Sequence, residues 1–288
     1  MAQDLPDSNE AMRQYWNEVA GPRWVASQGF REQRNQESLA LLLRRLRLAG
    51  GESVLEIGCG TGAVTLPLAQ AVGEHGRVVA VDIAQPMLEV ARQRAHESGM
   101  RNIELVLGDA QVMPLEHSAF DVATSRMGVM FFADPVAAFS NIGRALKPAG
   151  RLVFACWAPL EENPHWLISY EIAIRHLGSP GSGDVEPGPL AFADPDYVRR
   201  ILADAGFIAI AIDRAYPTII GGSAEEEARQ ALVMGPTARL IEAKQPSDAT
   251  RKAIAAEIAA AFAAKASTGP IRLPATIFLV GARRPGDP

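Results

Sequence analysis

The segment 54–62, VLEIGCGTG, places an acid and three alternating glycines directly after an apolar pair. This order predicts a strand, a tight turn and then a helix, because glycine permits turn conformations and lets a ligand approach the backbone closely. The acid, Glu56, would repel the phosphates of a dinucleotide and suits a ligand that carries positive charge. S-adenosylmethionine has an ammonium and a sulfonium but no phosphate, so the loop indicates a methyl-donor site.

A dinucleotide site is the alternative reading of the same loop. Gly58, Gly60 and Ala63 satisfy the pattern G-x-G-x-x-G/A, and Asp82 follows at a suitable distance for a ribose hydroxyl. Such a glycine pattern is weak evidence when it is taken alone. An NAD-dependent oxidoreductase therefore stays open as an alternative until further residues are considered.

Two more acids follow the next apolar segments, 77–82 and 102–110. If these segments are parallel strands, Asp82 and Asp109 lie at the carboxyl edge of the sheet, where nucleoside ligands bind. Asp82 is then placed for a ribose diol, and Asp109 can accept a hydrogen bond from an adenine amino group. One such acid alone would be read as a helix cap or loop residue. Three acids after three successive strands favour a cofactor-binding site over three unrelated cap or loop residues.

With these motifs the chain resembles the class I S-adenosylmethionine-dependent methyltransferases, in the group that includes the ubiquinone and menaquinone C-methyltransferases. The matching segments are 54–62, 78–87, 108–115, 120–135 and 146–157. The resemblance implies S-adenosylmethionine as cofactor and a Rossmann-like, doubly wound α/β fold. Its seven-stranded sheet is expected to be mostly parallel with an antiparallel edge strand.

The resemblance also implies which residues contact the cofactor. It places Glu56 near the methionine amino group, through Gly58 and Gly60, and Asp82 on the ribose. The whole predicted cofactor site consists of Trp24, Glu56, Gly58, Cys59, Gly60, Asp82, Ile83, Met87, Asp109, Ala110, Gln111 and Arg126.

Methyl transfer from a sulfonium is an in-line displacement, so an enzyme can work largely by holding the acceptor and the methyl group in line. A base is needed only when the acceptor must lose a proton. His165, just beyond the fifth strand, and Tyr15 are the predicted catalytic residues. The alternative reading of His165, as a surface histidine that begins a helix, is the more common one for such a position. A protein that binds the cofactor without methyl transfer, as a sensor or a cyclase does, remains a second hypothesis.

The segment 125–132, SRMGVMFF, concerns the acceptor. It lacks the Asn/Asp-Pro-Pro-aromatic motif of enzymes that methylate the amines of nucleic acid bases. Its methionines and phenylalanines suggest an apolar pocket, although core packing explains some of them equally well. The sequence therefore predicts a small, apolar or aromatic methyl acceptor and no nucleic acid partner.

Composition supports this prediction. The chain has 288 residues, 48% hydrophobic, and a net charge of −5 without a strongly basic stretch, which disfavours nucleic acid. The two cysteines, Cys59 and Cys156, predict neither a disulfide framework nor a cysteine-based metal site, and no metal is expected. The first residues carry no signal-peptide pattern and no apolar run is long enough to span a bilayer, so a cytoplasmic protein is expected. No oligomeric state is predicted.

The chain divides into three predicted parts: an N-terminal helical lid over 1–50, a cofactor-binding core over 51–158, and a substrate cap with the last strands over 159–288. The lid should have a helix over 9–20 that is broken at Gly21 and Pro22, since this pair interrupts helices. Its Tyr15, Trp16 and Trp24 are read either as core anchors or as a cover for the cofactor. The cap should contain a mobile loop over 178–189 and two or three helices over 223–264.

Overall fold

Seven strands form one mixed sheet in the computed structural model, which describes residues 9–179, 187–265 and 269–286. The strands in the described ranges are β1 Ser53–Ile57, β2 Arg77–Asp82, β3 Ile103–Leu107, β4 Phe120–Arg126, β5 Leu146–Trp157, β6 Ile208–Ala215, β7 Thr218–Ile220, β8 Arg272–Pro274 and β9 Ile277–Arg283. The short strands β7 and β8 lie outside the main sheet and pair with each other in an antiparallel ribbon. Sequence reasoning did not predict this ribbon.

The main sheet has the order β3-β2-β1-β4-β5-β9-β6. Strands β1 to β5 run parallel to one another, whereas β9 runs antiparallel to both β5 and β6. The predicted doubly wound sheet with an antiparallel edge is therefore confirmed. The reversed strand is the last one in the chain, and it lies one place in from the edge, between β5 and β6.

The helices connect and cover these strands. In the described ranges they are α1 Glu10–Tyr15, α2 Gly21–Ala26, α3 Gln28–Arg34, α4 Gln36–Leu46, α5 Thr65–Val72, α6 Gln85–Ser98, α7 Pro135–Ala145, α8 Pro164–Leu177, α9 Pro195–Asp204, α10 Ala224–Val233, α11 Gly235–Lys244 and α12 Asp248–Ala263. None of these helices combines the length and the apolar character that a bilayer crossing needs.

Strands β1 and β2 are buried along nearly their whole length, which is what parallel strands require when helices cover both faces. Helix α7 illustrates how the sequence fixes such a cover. Asp134 accepts a hydrogen bond from the backbone amide of Ala137 at 2.9 Å, and Pro135 occupies the first helical position, as its fixed φ allows. Phe139 of α7 then stacks on Phe154 of β5, with ring centroids 5.5 Å apart.

The N-terminal helices depart from the prediction at one point. The chain does not break at Gly21 and Pro22, because a π-helical segment, Trp16–Ala20, joins α1 to α2 without an intervening loop. A Cβ atom at Gly21 would lie 2.2 Å from the carbonyl oxygen of Trp16, so only glycine permits this wide turn. Pro22 has no amide hydrogen to donate, and it follows directly on the π-helical segment, where the regular i to i−4 hydrogen-bond pattern is already interrupted.

The insertion between β6 and β9 builds a second hydrophobic core. Helices α8, α10 and α12 contribute its buried residues, among them Ile172, Ala228, Ile258 and Phe262. The predicted helices over 223–264 are present, with boundaries next to Gly235 and after Gln245. The predicted mobile loop over 178–189 falls largely on residues 180–186, which lie outside the described residues, as do residues 1–8 of the N-terminus.

Candidate functional site

A cavity of about 220 Å³ lies at the carboxyl ends of the parallel strands, between the N-terminal helices and the insertion. One end is formed by the glycine loop after β1 and by residues that end or follow β2, β3 and β4. The other end is formed by aromatic and basic residues of α1 to α3, α8 and α11. We call the first the donor end and the second the acceptor end.

The glycine loop has the backbone that the sequence predicts. Gly58 and Gly60 both have positive φ, at 67° and 57°, a region that favours glycine. A Cβ atom at Gly58 would lie 3.0 Å from the Cα of Gly128, and one at Gly60 would lie 2.9 Å from the Cε of Met87. The loop therefore holds its backbone close to the residues after β4 and to helix α6, and both glycines line the cavity.

Asp82 ends β2 and lines the donor end. One of its carboxylate oxygens accepts a hydrogen bond from the backbone amide of Gly60 at 2.6 Å, and the other accepts from that of Ala84 at 2.8 Å. Burial raises the pKa of Asp82, and these backbone donors oppose the shift because they favour the charged form. Since each carboxylate oxygen has two lone pairs, both can still accept hydrogen bonds from a ligand.

Glu56 lies beneath the loop and does not line the cavity. Its carboxylate is almost fully buried and accepts a hydrogen bond from the hydroxyl of Thr65 at 2.6 Å, at the start of α5. Burial raises the pKa of Glu56 to about 7, and the charge of Asp82 adds to this rise. The hydrogen bond from Thr65 and the charge of Arg126 act in the opposite direction. The predicted residue is thus close to the donor end, but it acts through the loop.

Asp109 lines the cavity after β3. Its Oδ1 atom accepts hydrogen bonds from the amide of Gln111 at 2.9 Å and from the side chain of Asn9 at 3.2 Å. The Oδ1 atom of Asn9 is buried, and among the residues that the structure describes it has no hydrogen-bond partner. Gln111 does not line the cavity, because its side-chain oxygen accepts from the amide of Asp134. Asn9 thus stands on the wall where sequence reasoning expected Gln111.

The remaining predicted cofactor residues all line this cavity: Trp24, Cys59, Ile83, Met87, Ala110 and Arg126. Burial raises the pKa of the Cys59 thiol well above its usual value, so the thiol stays protonated. Arg126 ends β4, and within the described residues its guanidinium makes no hydrogen bond or ion pair. Burial lowers its pKa, which the charges of Glu56 and Glu32 oppose.

Aromatic rings dominate the acceptor end. Trp16 meets Phe131 edge to face at 5.0 Å between centroids, and Trp157 lies 4.6 Å from Trp166. All four tryptophans of the chain, the fourth being Trp24, line the cavity. Sequence reasoning considered Trp16 and Trp24 but missed Trp157 and Trp166. The rarity of tryptophan in this chain was the available signal.

His165 is not a surface residue. It begins helix α8, is nearly fully buried and lines the acceptor end with its ring 5.1 Å from Trp157. Burial lowers the pKa of His165 well below its ordinary value, and the charge of Arg34 adds to this effect. Neither ring nitrogen has a hydrogen-bond partner among the described residues, and Nδ1 is enclosed. The imidazole is therefore neutral at physiological pH, because burial and the charge of Arg34 both disfavour its protonated form.

Tyr15 also lines the cavity. Its ring meets Trp16 edge to face at 6.0 Å between centroids. Burial raises the pKa of Tyr15, and the charge of Glu242 raises it further. The phenol thus stays protonated near neutral pH and can donate a hydrogen bond, but it is a poor base.

Salt bridges and hydrogen bonds join the N-terminal helices to the insertion. Arg34 of α3 pairs with Glu227 of α10, with its Nη1 atom 2.8 Å from both carboxylate oxygens, and both side chains are largely buried. Arg23 of α2 pairs with Glu242 of α11 at 2.7 Å. We call these two pairs the clasp, because they hold together the two segments that cover the cavity.

S-adenosylmethionine fits the groups at the donor end. Its ribose and adenine offer hydrogen-bond donors, and the wall presents Asp82, Asp109 and the unpartnered Oδ1 of Asn9 as acceptors. Its ammonium and sulfonium suit a region in which Asp82 lies above the buried Glu56. The carboxylates would repel the pyrophosphate of a dinucleotide.

Comparisons with known proteins agree with this fit. A model of the methyltransferase domain family matches residues 54–150. The demethylmenaquinone methyltransferase of Lactococcus lactis is 37% identical over 183 residues, which cover 59% of this chain and 71% of that protein. The aklanonic acid methyltransferase of a Streptomyces species is 41% identical over 104 residues, 36% of this chain and 47% of that protein. The chain thus spans only about half the length of some curated relatives.

A solved structure from Bacillus halodurans C-125, whose assignment as a methyltransferase is provisional, shares the fold. Its TM-score is 0.57 at 23% identity, over 86% of this chain and 98% of that one. The open sheet, with a cleft at the carboxyl ends of β1 and β2, defines a Rossmann-like α/β protein. The chain belongs to the class I S-adenosylmethionine-dependent methyltransferases, whose methyl donor is S-adenosylmethionine.

Proposed function

We propose that this protein transfers the methyl group of S-adenosylmethionine to an oxygen, carbon or nitrogen atom of a small, apolar or aromatic molecule. The main support is that one cavity contains both a donor end lined by carboxylates and an acceptor end lined by aromatic rings. Two relatives are named as methyltransferases of demethylmenaquinone and of aklanonic acid, which are small molecules. Their names support the class of acceptor and not a particular compound.

In this proposal the donor end binds the cofactor through the predicted residues that line it. Asp82 accepts hydrogen bonds from the ribose diol, Asp109 from the adenine amino group, and Ile83 and Met87 pack on the adenine faces. The loop at Gly58 and Gly60 carries the methionine, with Glu56 contributing its charge from below. Arg126 binds the methionine carboxylate.

At the acceptor end, His165 acts as the base when the acceptor is a hydroxyl group. The imidazole is neutral and lines the cavity, and among the described residues its ring nitrogens have no partner, so a lone pair is available to the acceptor hydroxyl. A negative charge that develops on the acceptor oxygen would raise the low pKa of His165 toward the range that a general base needs. Tyr15 supplies a hydrogen bond that orients the acceptor. We divide the chain into a lid over 1–50, a core over 51–158 and a cap over 159–288. The lid and the cap cover the cavity and exclude water from the sulfonium.

The test is S-adenosylhomocysteine formation with a panel of quinols, phenols and amines. With a phenol acceptor, His165→Ala is expected to lower kcat by about 100-fold or more, since general bases contribute on this scale. The affinity for the cofactor should stay the same. The control is His96→Ala, which removes an exposed histidine from α6. If kcat is unchanged in His165→Ala, His165 is not the general base.

Binding without transfer is the second candidate function. It would be favoured if the protein binds S-adenosylmethionine well and leaves it intact with every acceptor in the panel. Calorimetry with NAD tests the oxidoreductase alternative, and we expect no binding because of the carboxylates at the donor end. A cytoplasmic location also remains a prediction, which cell fractionation tests.

A further inference from the structure

Four arginine side chains line the cavity, which is unusual for a wall that is otherwise mostly aromatic and aliphatic; they are Arg31, Arg34, Arg126 and Arg239. Two of them have partners that explain their presence. Arg34 pairs with Glu227, and Arg31 donates to the side chains of Ser27 and Gln230. The other two lack such partners, and Arg126 lies at the donor end, where the methionine carboxylate can neutralise it.

Arg239 is the arginine without an explanation. It lies on α11 and is half-buried, and among the described residues its guanidinium forms no hydrogen bond and no ion pair. The nearest candidate along the helix is Glu242, but the Nη1 atom of Arg23 already binds that carboxylate at 2.7 Å. A charged group that faces an apolar cavity without a partner is costly, and its expected partner is an anion that enters the cavity.

The neighbours of Arg239 place it at the acceptor end. Its guanidinium lies against the backbone at Gly188, where an added Cβ atom would lie 2.5 Å from Nη1. Gly235, at the start of the same helix, lies against the indole of Trp166, where an added Cβ atom would lie 3.2 Å from the ring nitrogen. The insertion thus brings a guanidinium that has no ion-pair partner among the described residues to a wall made of aromatic rings.

We propose that the methyl acceptor is an apolar aromatic compound that carries an anionic oxygen group, and that Arg239 binds this group. The rings of the acceptor end hold the apolar skeleton, while the guanidinium fixes its orientation through charge-assisted hydrogen bonds. This inference rests on the proposed function, because it names the substrate class of the same site. The two arginines that have no partner among the described residues then bind different molecules. Arg126 binds the cofactor, and Arg239 binds the methyl acceptor.

The test measures binding and not turnover, so that it can succeed or fail independently of methyl transfer. Anilinonaphthalene sulfonate is a fluorescent aromatic anion, and phenylnaphthylamine is its neutral counterpart. Both are titrated into the protein with S-adenosylhomocysteine at saturation, which blocks the donor end. The variants are Arg239→Gln and Arg239→Lys, and the matched control is Lys244→Gln, which removes one positive charge from an exposed position on the same helix.

We expect the anion to bind the wild-type protein at least about 10-fold more tightly than the neutral probe, as one charge-assisted contact predicts. Arg239→Gln should abolish this preference and leave the neutral probe unaffected, Arg239→Lys should retain part of it, and Lys244→Gln should retain all of it. Equal binding of the two probes, or no saturable binding of the anion, would overturn the inference. A loss of S-adenosylhomocysteine affinity in Arg239→Gln would also overturn it, because Arg239 would then serve the donor.

The proposed function fails separately. If no acceptor is methylated while the wild-type protein still prefers the anionic probe through Arg239, the anion site stands and the transfer reaction does not. If methyl transfer occurs with neutral acceptors only and Arg239→Gln leaves their KM unchanged, the reaction stands and the anion site is wrong.

Discussion

The two ends of the cavity differ in how their polar groups are held. At the donor end, the carboxylates already accept hydrogen bonds from the protein: Asp82 from two backbone amides and Glu56 from Thr65. At the acceptor end, His165 and Arg239 have no hydrogen-bond partner among the described residues. The carboxylates Asp82 and Glu56 are therefore preorganised by the protein, whereas the partners of His165 and Arg239 must come with the ligand, as must those of Arg126 and the Oδ1 atom of Asn9 at the donor end.

The two ends also differ in where their residues come from. Apart from Asn9, the donor end is built by strand ends and the loops that directly follow them, within one continuous stretch of chain. The acceptor end is assembled from the N-terminal helices, from α8 and from the insertion. The N-terminal helices and the insertion lie about two hundred residues apart in the chain, as the pair Arg34 and Glu227 illustrates. The clasp thus makes the acceptor end depend on tertiary packing in a way that the donor end does not.

The largest expected effect concerns the donor end. Asp82→Ala should weaken S-adenosylmethionine binding by at least roughly 10- to 100-fold, since charge-assisted hydrogen bonds contribute about 1.5–3 kcal/mol each. It should also lower the melting temperature, because the amides of Gly60 and Ala84 lose their acceptor. Calorimetric titration and thermal unfolding measure the two effects. Normal cofactor affinity in this variant would show that the ribose lies elsewhere and that the donor-end assignment is wrong.

The next effect concerns the clasp. Glu227→Gln leaves the guanidinium of Arg34 largely buried without its countercharge, and we expect a loss of about 2–3 kcal/mol of stability, somewhat below the cost for a fully buried pair. The KM for the acceptor should rise while the affinity for the cofactor changes little. Faster hydrogen exchange in α3 and α10 would locate the effect.

The control for the clasp is Glu225→Gln, which removes an exposed carboxylate from the same turn of α10. It should leave stability, hydrogen exchange and both substrate affinities unchanged. If Glu227→Gln instead weakens cofactor binding as much as acceptor binding, the two ends are not independent, and the contrast between them does not hold.

The donor end could be predicted from sequence because its chemistry is local. Each acid directly follows an apolar strand, and the topology of an open parallel sheet brings the carboxyl ends of β1, β2 and β3 together without further information. Two side chains at this end have orientations that the chain positions do not indicate. Gln111 and Glu56 have the expected chain positions, but their side chains turn to Asp134 and Thr65 instead of facing the cavity.

The acceptor end could not be predicted in the same way. Arg239 lies on an alanine-rich helical insertion whose sequence does not indicate the face that meets the cavity, and Trp166 depends on the packing of α8 against α11. His165 was identified by its position after β5, but its burial follows from the tryptophans around it. The predicted break at Gly21 and Pro22 failed for a similar reason, because a π-helical segment accommodates the turn.

The smallest expected effect is the pH dependence of stability that Glu56 imposes. Its pKa is raised from 4.5 to about 7 in the folded protein, so the folded state holds the proton to a higher pH than the unfolded chain. The stability that this proton contributes is complete below pH 4.5 and is lost as the pH rises through 7.

Between pH 6 and pH 8 the wild-type protein should therefore lose about 1 kcal/mol more stability than Glu56→Gln, which keeps an oxygen for Thr65 but does not titrate. Unfolding in urea at both pH values measures this difference. Saturation with S-adenosylhomocysteine should reduce it, because an ammonium group near the loop lowers the pKa of the carboxyl. A pH difference that the ligand leaves unchanged would mean that the charge of Glu56 does not reach the donor end.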